Sequence, residues 1–252
     1  MSTDFVFVCF TCRRDVDLLP VQYAAIQSAA PGSPVWYAVD SADADMPLPE
    51  GSERIVTPWG RGGNLRGLPA LLGILRTFTT AAIETHRTPV KIDSDIILRG
   101  SEWLSPLVDD SADLVGVSPG GLFCASGACY GISPRILPAV AAFACSGRYW
   151  DLAGDRCEDE TLTMMTAIVS APNRVAISQN YHPSLSTALS AVFQSHHFGN
   201  PDRLRQVTGF IDCGDSKLLA EYMTAGLDLP TIKRRAMETA ATLPPFTPNP
   251  AA

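Results

Sequence analysis

Phe5-Val6-Phe7-Val8-Cys9-Phe10 is an unbroken run of six apolar residues, the pattern of a strand buried on both faces, as in a parallel sheet. Asp15–Ala29 follows, with Val16, Leu19, Tyr23 and Ile26 at helical spacing, and Pro31-Gly32-Ser33-Pro34 stops it. Val35–Val39 reads as a second strand, closed by Asp40. Strand, helix and strand in about 35 residues make a βαβ unit and predict an α/β protein.

The same alternation continues. Arg54–Thr57 reads as a short strand and Trp59-Gly60-Arg61-Gly62-Gly63-Asn64 as a glycine-rich turn. Leu65–Thr85 is expected to be a long helix, with Leu68, Leu71, Leu72, Leu75 and Phe78 on one face. His86 closes it, where a cation suits the helix dipole. Residues 89–98 read as an apolar strand interrupted by two carboxylates. Further helices are expected at 101–108, from Pro134 to about Ala144, and at 158–170. Further strands are expected at 114–117, 128–132 and 174–178, and 184–238 reads as mainly helical. No linker divides the chain, so 1–242 is expected to form one domain. Pro244, Pro245, Pro248 and Pro250 make 243–252 an extended or disordered tail.

The chain has 252 residues, 19 Lys and Arg against 26 Asp and Glu, and a net charge of -7. That balance argues against a nonspecific nucleic-acid binder. The 46% hydrophobic content argues against disorder. No basic leader or bilayer-length apolar run is present in the sequence, so a cytoplasmic protein without a transmembrane segment is expected. Seven cysteines, an odd number, favour reduced thiols. Cys9 and Cys12 form a C-x-x-C, but Cys9 belongs to the first strand, and Cys124 and Cys129 lack the spacing of a zinc ribbon. Most of the seven read as small buried apolar residues.

Lys91-Ile92-Asp93-Ser94-Asp95-Ile96-Ile97-Leu98 carries the chemistry. Ionised groups beside a buried strand are costly unless paired. A hard divalent cation bridging Asp93 and Asp95 to phosphate oxygens is one solution, and residues i and i+2 share a face in extended backbone. A polar turn after a strand is the plainer alternative.

The layout resembles the nucleotide-sugar-dependent glycosyltransferases of the GT-A fold, family-2-like and with some likeness to the glycogenin-like branch. The resemblance rests on short motifs in order: Thr11-Cys12-Arg13, Val39-Asp40-Ser41, Gly63-Asn64-Leu65-Arg66-Gly67-Leu68, Asp93-Ser94-Asp95, Gly120-Gly121 with the following Gly127–Ser133 segment, and Cys157-Glu158-Asp159-Glu160-Thr161-Leu162. It implies a GT-A-like, Rossmann-type mixed sheet flanked by helices in a single domain. It also implies sugar transfer from a nucleoside-diphosphate sugar, a UDP-sugar above all, to an acceptor hydroxyl. Thr11, Arg13 and Asp40 would lie on the nucleoside side, and Asn64 near the donor. Arg61, Arg66 and Lys91 would offer donors to the phosphates. Asp93, Ser94 and Asp95 would hold the donor and Mn²⁺ or Mg²⁺, with His182 or His197 as a further metal ligand. Gly120, Gly121 and Trp150 would face the acceptor, Asp159 would be the base, and Glu158 its catalytic neighbour. Acids in a first helical turn are favoured anyway, so Glu158 and Asp159 have a purely structural reading as well. Nucleotidyl transfer and a non-catalytic nucleotide-sugar-binding module are the other expectations. The first lacks the glycine-rich loop such enzymes usually carry after the first strand, where this chain has Phe10-Thr11-Cys12-Arg13-Arg14.

Overall fold

The computed structural model describes residues 4–58, 67–117, 125, 127–148, 157–178, 181–182, 191–194 and 225–243. The first βαβ unit is β1 (Phe5–Thr11), α1 (Leu19–Ala29) and β2 (Val35–Asp40). Then come β3 (Glu53–Thr57), α2 (Gly67–Thr85), β4 (Thr88–Asp93), β5 (Ile96–Leu98) and α3 (Ser105–Val108). They are followed by β6 (Leu114–Val117), β7 (Cys129–Ile132), α4 (Leu137–Cys145) and α5 (Glu158–Val169). The described elements end with β8 (Val175–Ser178), β9 (Tyr181–His182), β10 (Val192–Gln194) and α6 (Leu229–Thr242).

Seven strands form one mixed sheet in the order β3-β2-β1-β4-β7-β6-β8. Only β7 runs against its neighbours. The fold is therefore a single α/β domain of Rossmann type, as the opening unit predicts. Alternate residues of β1 enter opposite cores. Phe5, Phe7 and Cys9 pack with Leu19 and Ile26 of α1, while Val6, Val8 and Phe10 pack with Leu71, Ile74 and Phe78 of α2, Val140 of α4 and Leu162 of α5. Two covered faces explain why the central strands lack a polar alternation. Tyr130 and Phe10 each meet the Phe78 ring edge-on, at 6.1 and 6.2 Å.

Some elements differ from the sequence expectation. The helix expected from Asp15 starts as a 3₁₀ turn, Arg13–Leu18, and becomes α-helical at Leu19 with Pro20 in its first turn, where a missing N–H costs nothing. The helix expected from Pro134 begins at Leu137. His86 follows α2 in left-handed conformation (φ 55°), the position at which a helix commonly stops. Residues 89–98 are not one strand. A turn at Ser94 and Asp95 sends Ile96–Leu98 into a second, three-stranded sheet, order β5-β10-β9. β10, within the segment expected to be helical, pairs antiparallel with β5. The tail from 244 lies outside the described residues. Among the described residues, no helix is long and apolar enough to cross a membrane.

Candidate functional site

Parallel strands deliver their last residues to one edge, and Thr11, Asp40 and Asp93 end β1, β2 and β4 there. Phe10 stands opposite Asp93 and Thr11 opposite Val39, so these ends are neighbours. The N-terminus of α5 and the turn before β7 come to the same edge. The Asp93 amide donates to the Ala128 carbonyl at 3.0 Å, and the Gly127 amide donates to Asp159 Oδ2 at 2.5 Å.

Lys91 organises this corner. It lies on β4 between Val8 and Tyr130 and is only 2% exposed. Its ammonium donates to Asp93 Oδ1 at 2.7 Å and to the Gly127 carbonyl. It also lies 3.4 Å from Glu158 Oε1 and 5.7 Å from the centre of the Tyr130 ring. Lys91 and Asp93 meet because i and i+2 project from the same face of a strand. Asp93 remains partly open to solvent, whereas Glu158 is buried.

Burial raises the Glu158 carboxyl from its ordinary 4.5 to about 7. Lys91 opposes that rise, and the charges of Asp159 and Asp93 add to it. The Tyr130 hydroxyl is fully buried, with no hydrogen-bond partner among the described residues. Burial first, then the charges of Glu158, Asp159 and Asp93, push its pKa well up. Asp159 is half-buried. Its Oδ1 accepts the Glu160 amide at 2.8 Å, and its Oδ2 accepts Gly127. A Cβ on Gly127 would stand 3.0 Å from Asp159 Oδ2 and 3.3 Å from Glu158 Oε1, so the bare backbone lets the turn close on both carboxylates.

Asp95 faces different company. It is 5% exposed, and its Oδ2 lies 2.8 Å from the ammonium of Lys233 on α6. Lys233 is also 3.9 Å from Asp15 Oδ1, while Asp15 Oδ2 accepts the Ser94 hydroxyl at 2.7 Å. The two carboxylates of Asp93-Ser94-Asp95 thus each have their own lysine: Lys91 from within the large sheet, and Lys233 from the C-terminal helix. The Gln22 side-chain amide donates to the Asp93 carbonyl and ties the turn to α1.

Thr11 and Asp40, expected on the nucleoside side, end β1 and β2, and Arg13 follows β1. Thr11 Oγ1 is buried without a partner among the described residues. The Arg13 amide donates to Asp43 Oδ2 at 3.0 Å, and its guanidinium contacts Asp43 at 3.4 Å and also Asp45. Asp40 accepts the Ala42 amide at 3.0 Å and caps the turn after β2. His182 falls in β9, whose backbone pairs with Phe193. Arg61, Asn64, Arg66, Gly120, Gly121, Trp150 and His197 lie outside the described residues. Cys9 and Cys129 are buried, Cys12 and Cys157 half-buried, and Cys145 exposed.

Lys233, Asp15, Tyr130 and Gly127 were not singled out as site residues by the sequence motifs. Gly127 and Tyr130 do fall inside a quoted motif, but nothing local marks Lys233. A second ionic cluster sits at the opposite edge of the sheet. Asp113 precedes β6, is 1% exposed, and accepts hydrogen bonds from Arg174 Nε at 2.8 Å, from Arg135 Nη2 at 2.5 Å and from Ser170. Burial would raise its carboxyl, but these donors outweigh it and hold the pKa at about 2. This cluster pins β6 to β8 and α5, away from the strand ends that carry Thr11, Asp40 and Asp93.

The fold and the edge define an α/β protein with paired buried lysine–carboxylate contacts at the ends of its parallel strands. Comparison with known proteins assigns no family to it: no protein-family model matches the chain, and neither does any curated protein.

Proposed function

We propose that the protein is a metal-dependent glycosyltransferase, moving a sugar from a nucleoside-diphosphate sugar, a UDP-sugar by preference, to an acceptor hydroxyl. The observation that carries this reading is Lys91 near the end of β4, paired with Asp93 and Glu158, with Gly127 giving its carbonyl to Lys91 and its amide to Asp159. Carboxylates at this edge of an open α/β sheet lie where such folds place their ligands.

The carboxylate oxygens of Asp93 and Asp95 are the donor type a hard cation takes, and Asp93 is partly open to solvent. Mn²⁺ or Mg²⁺ held by Asp93 and Asp95, with His182 or His197 as a further ligand, would neutralise charge on the departing diphosphate. Lys91 is a positioning residue, because its ammonium is buried against Asp93 and fixes the rotamer of that carboxylate. Asp159 is the base: it is half-buried, and two backbone amides orient it while lone pairs remain for an acceptor hydroxyl. Glu158 stands beneath it, against Lys91. Thr11, Arg13 and Asp40 line the nucleoside side, and Arg61 and Arg66 supply donors to the phosphates.

The test is a thermal-shift panel of UDP-, GDP- and CMP-sugars, with and without Mn²⁺, on the wild type and Asp93→Asn. A donor present at about a hundred times its Kd adds about 2.7 kcal/mol to stability. In a domain of this size that raises the midpoint by roughly 5–10 °C. The expected result is a rise with UDP-sugar that requires Mn²⁺ and disappears in Asp93→Asn. No rise with any sugar nucleotide under either condition overturns the proposal.

A further inference from the structure

Asp95 is almost completely buried, and a buried carboxylate needs a cation. The chain supplies its own. Lys233 reaches Asp95 Oδ2 at 2.8 Å from α6, a helix distant in sequence, with its side chain only 17% exposed. Its placement is not incidental to the packing. Ile232, Ala236, Met237 and Ala240 seat α6 in a small core with Leu18 and Ala25, and with Ile97, two residues beyond Asp95. Asp228 caps the helix by accepting the Thr231 amide at 2.9 Å. The helix that packs on this core thus also carries a cation to Asp95.

We propose that Lys233 is a built-in counter-cation of Asp95 which a divalent ion must displace, so that the C-terminal helix sets the affinity of the metal site. The inference rests on the metal reading above and names a control on it. An ammonium within hydrogen-bond distance of the carboxylate and a divalent ion on that same carboxylate repel each other strongly. Coupling of this kind is reciprocal: whatever factor Lys233 costs the metal, the metal costs the docking of α6.

The experiment measures Mn²⁺ binding to the full chain by calorimetry and by the electron paramagnetic resonance signal of free Mn²⁺. The wild type is compared with Lys233→Met, Lys233→Arg and the double variant Lys233→Met/Asp95→Asn. Lys233→Met is expected to bind Mn²⁺ about tenfold more tightly, within the usual range of coupling between sites. Lys233→Arg, which keeps the charge, is expected to stay close to the wild type, and the double variant to lose the gain. Equal or weaker binding by Lys233→Met overturns the inference while leaving the metal reading intact. Binding by neither protein overturns both. Binding by Lys233→Met alone supports the displacement and overturns metal dependence of the native protein. If Lys233→Met fails to fold, amide exchange in the wild type decides: Mn²⁺ is expected to speed exchange in residues 229–242, and unchanged or slower exchange overturns the inference.

Discussion

Glu158→Gln should stabilise the protein at alkaline pH although it removes a partner of a buried lysine. Glu158 is buried, its Oε1 lies 3.4 Å from the Lys91 ammonium, and burial raises its carboxyl from 4.5 to about 7. The folded state therefore holds the Glu158 proton more tightly than the unfolded chain does. Its favourable contribution is complete below pH 4.5 and is lost as pH rises through 7. Each pH unit in that window removes about 1.4 kcal/mol, which comes to about 3 kcal/mol by pH 8. Glutamine keeps the shape and carries no charge, so the variant should match the wild type near pH 4 and exceed it by about 3 kcal/mol at pH 8. Urea unfolding at the two pH values reads the difference directly. In melting experiments it corresponds to roughly 6–12 °C at pH 8. The acid effects of Asp113 are common to both proteins and cancel. A Glu158→Gln protein that is less stable than the wild type at pH 8 would refute the reasoning, because it would mean that attraction to Lys91 outweighs burial.

Two other residues give sharper functional and structural contrasts. Asp159→Asn should leave donor-induced stabilisation in place and lower kcat by about 10²–10⁴-fold, the usual worth of a positioned base; loss of donor binding with kcat unchanged would remove Asp159 from that role. Asp113 has a folded pKa lowered from 3.8 to about 2, so its contribution is full above pH 3.8 and disappears as pH falls through 2. Asp113→Asn should accordingly cost about 2 kcal/mol at neutral pH and less at pH 2.5, measured by urea unfolding, and a deficit independent of pH would show that the pairing of Asp113 with Arg135 and Arg174 is not its source.

What the sequence reveals depends on whether the deciding partner is local. Phe5–Phe10 announces a doubly covered strand because both faces of β1 meet helices, and every residue must then be apolar. Asp93 is legible for the same reason, since a carboxylate ending such a run marks the strand's exit at the sheet edge. The break at Ser94 is not legible. Ile96–Leu98 is as strand-prone as the stretch before Asp93, and only pairing with β10, far along the chain, assigns it to another sheet. Lys233 is hidden more deeply. On α6 it reads as one more charge beside Arg234 and Arg235, and its meaning comes from the core that Ile232 and Met237 share with Ile97. Lys91 inverts the expectation attached to it. A lysine two residues from a carboxylate at a strand end suggests an open donor, yet its ammonium is turned inward to Asp93, Glu158 and the Gly127 carbonyl. Its work is to hold one carboxylate while Lys233 holds the other. The two acids of a single short motif thus pair with lysines from different elements, Asp93 from within the sheet and Asp95 from a helix far along the chain.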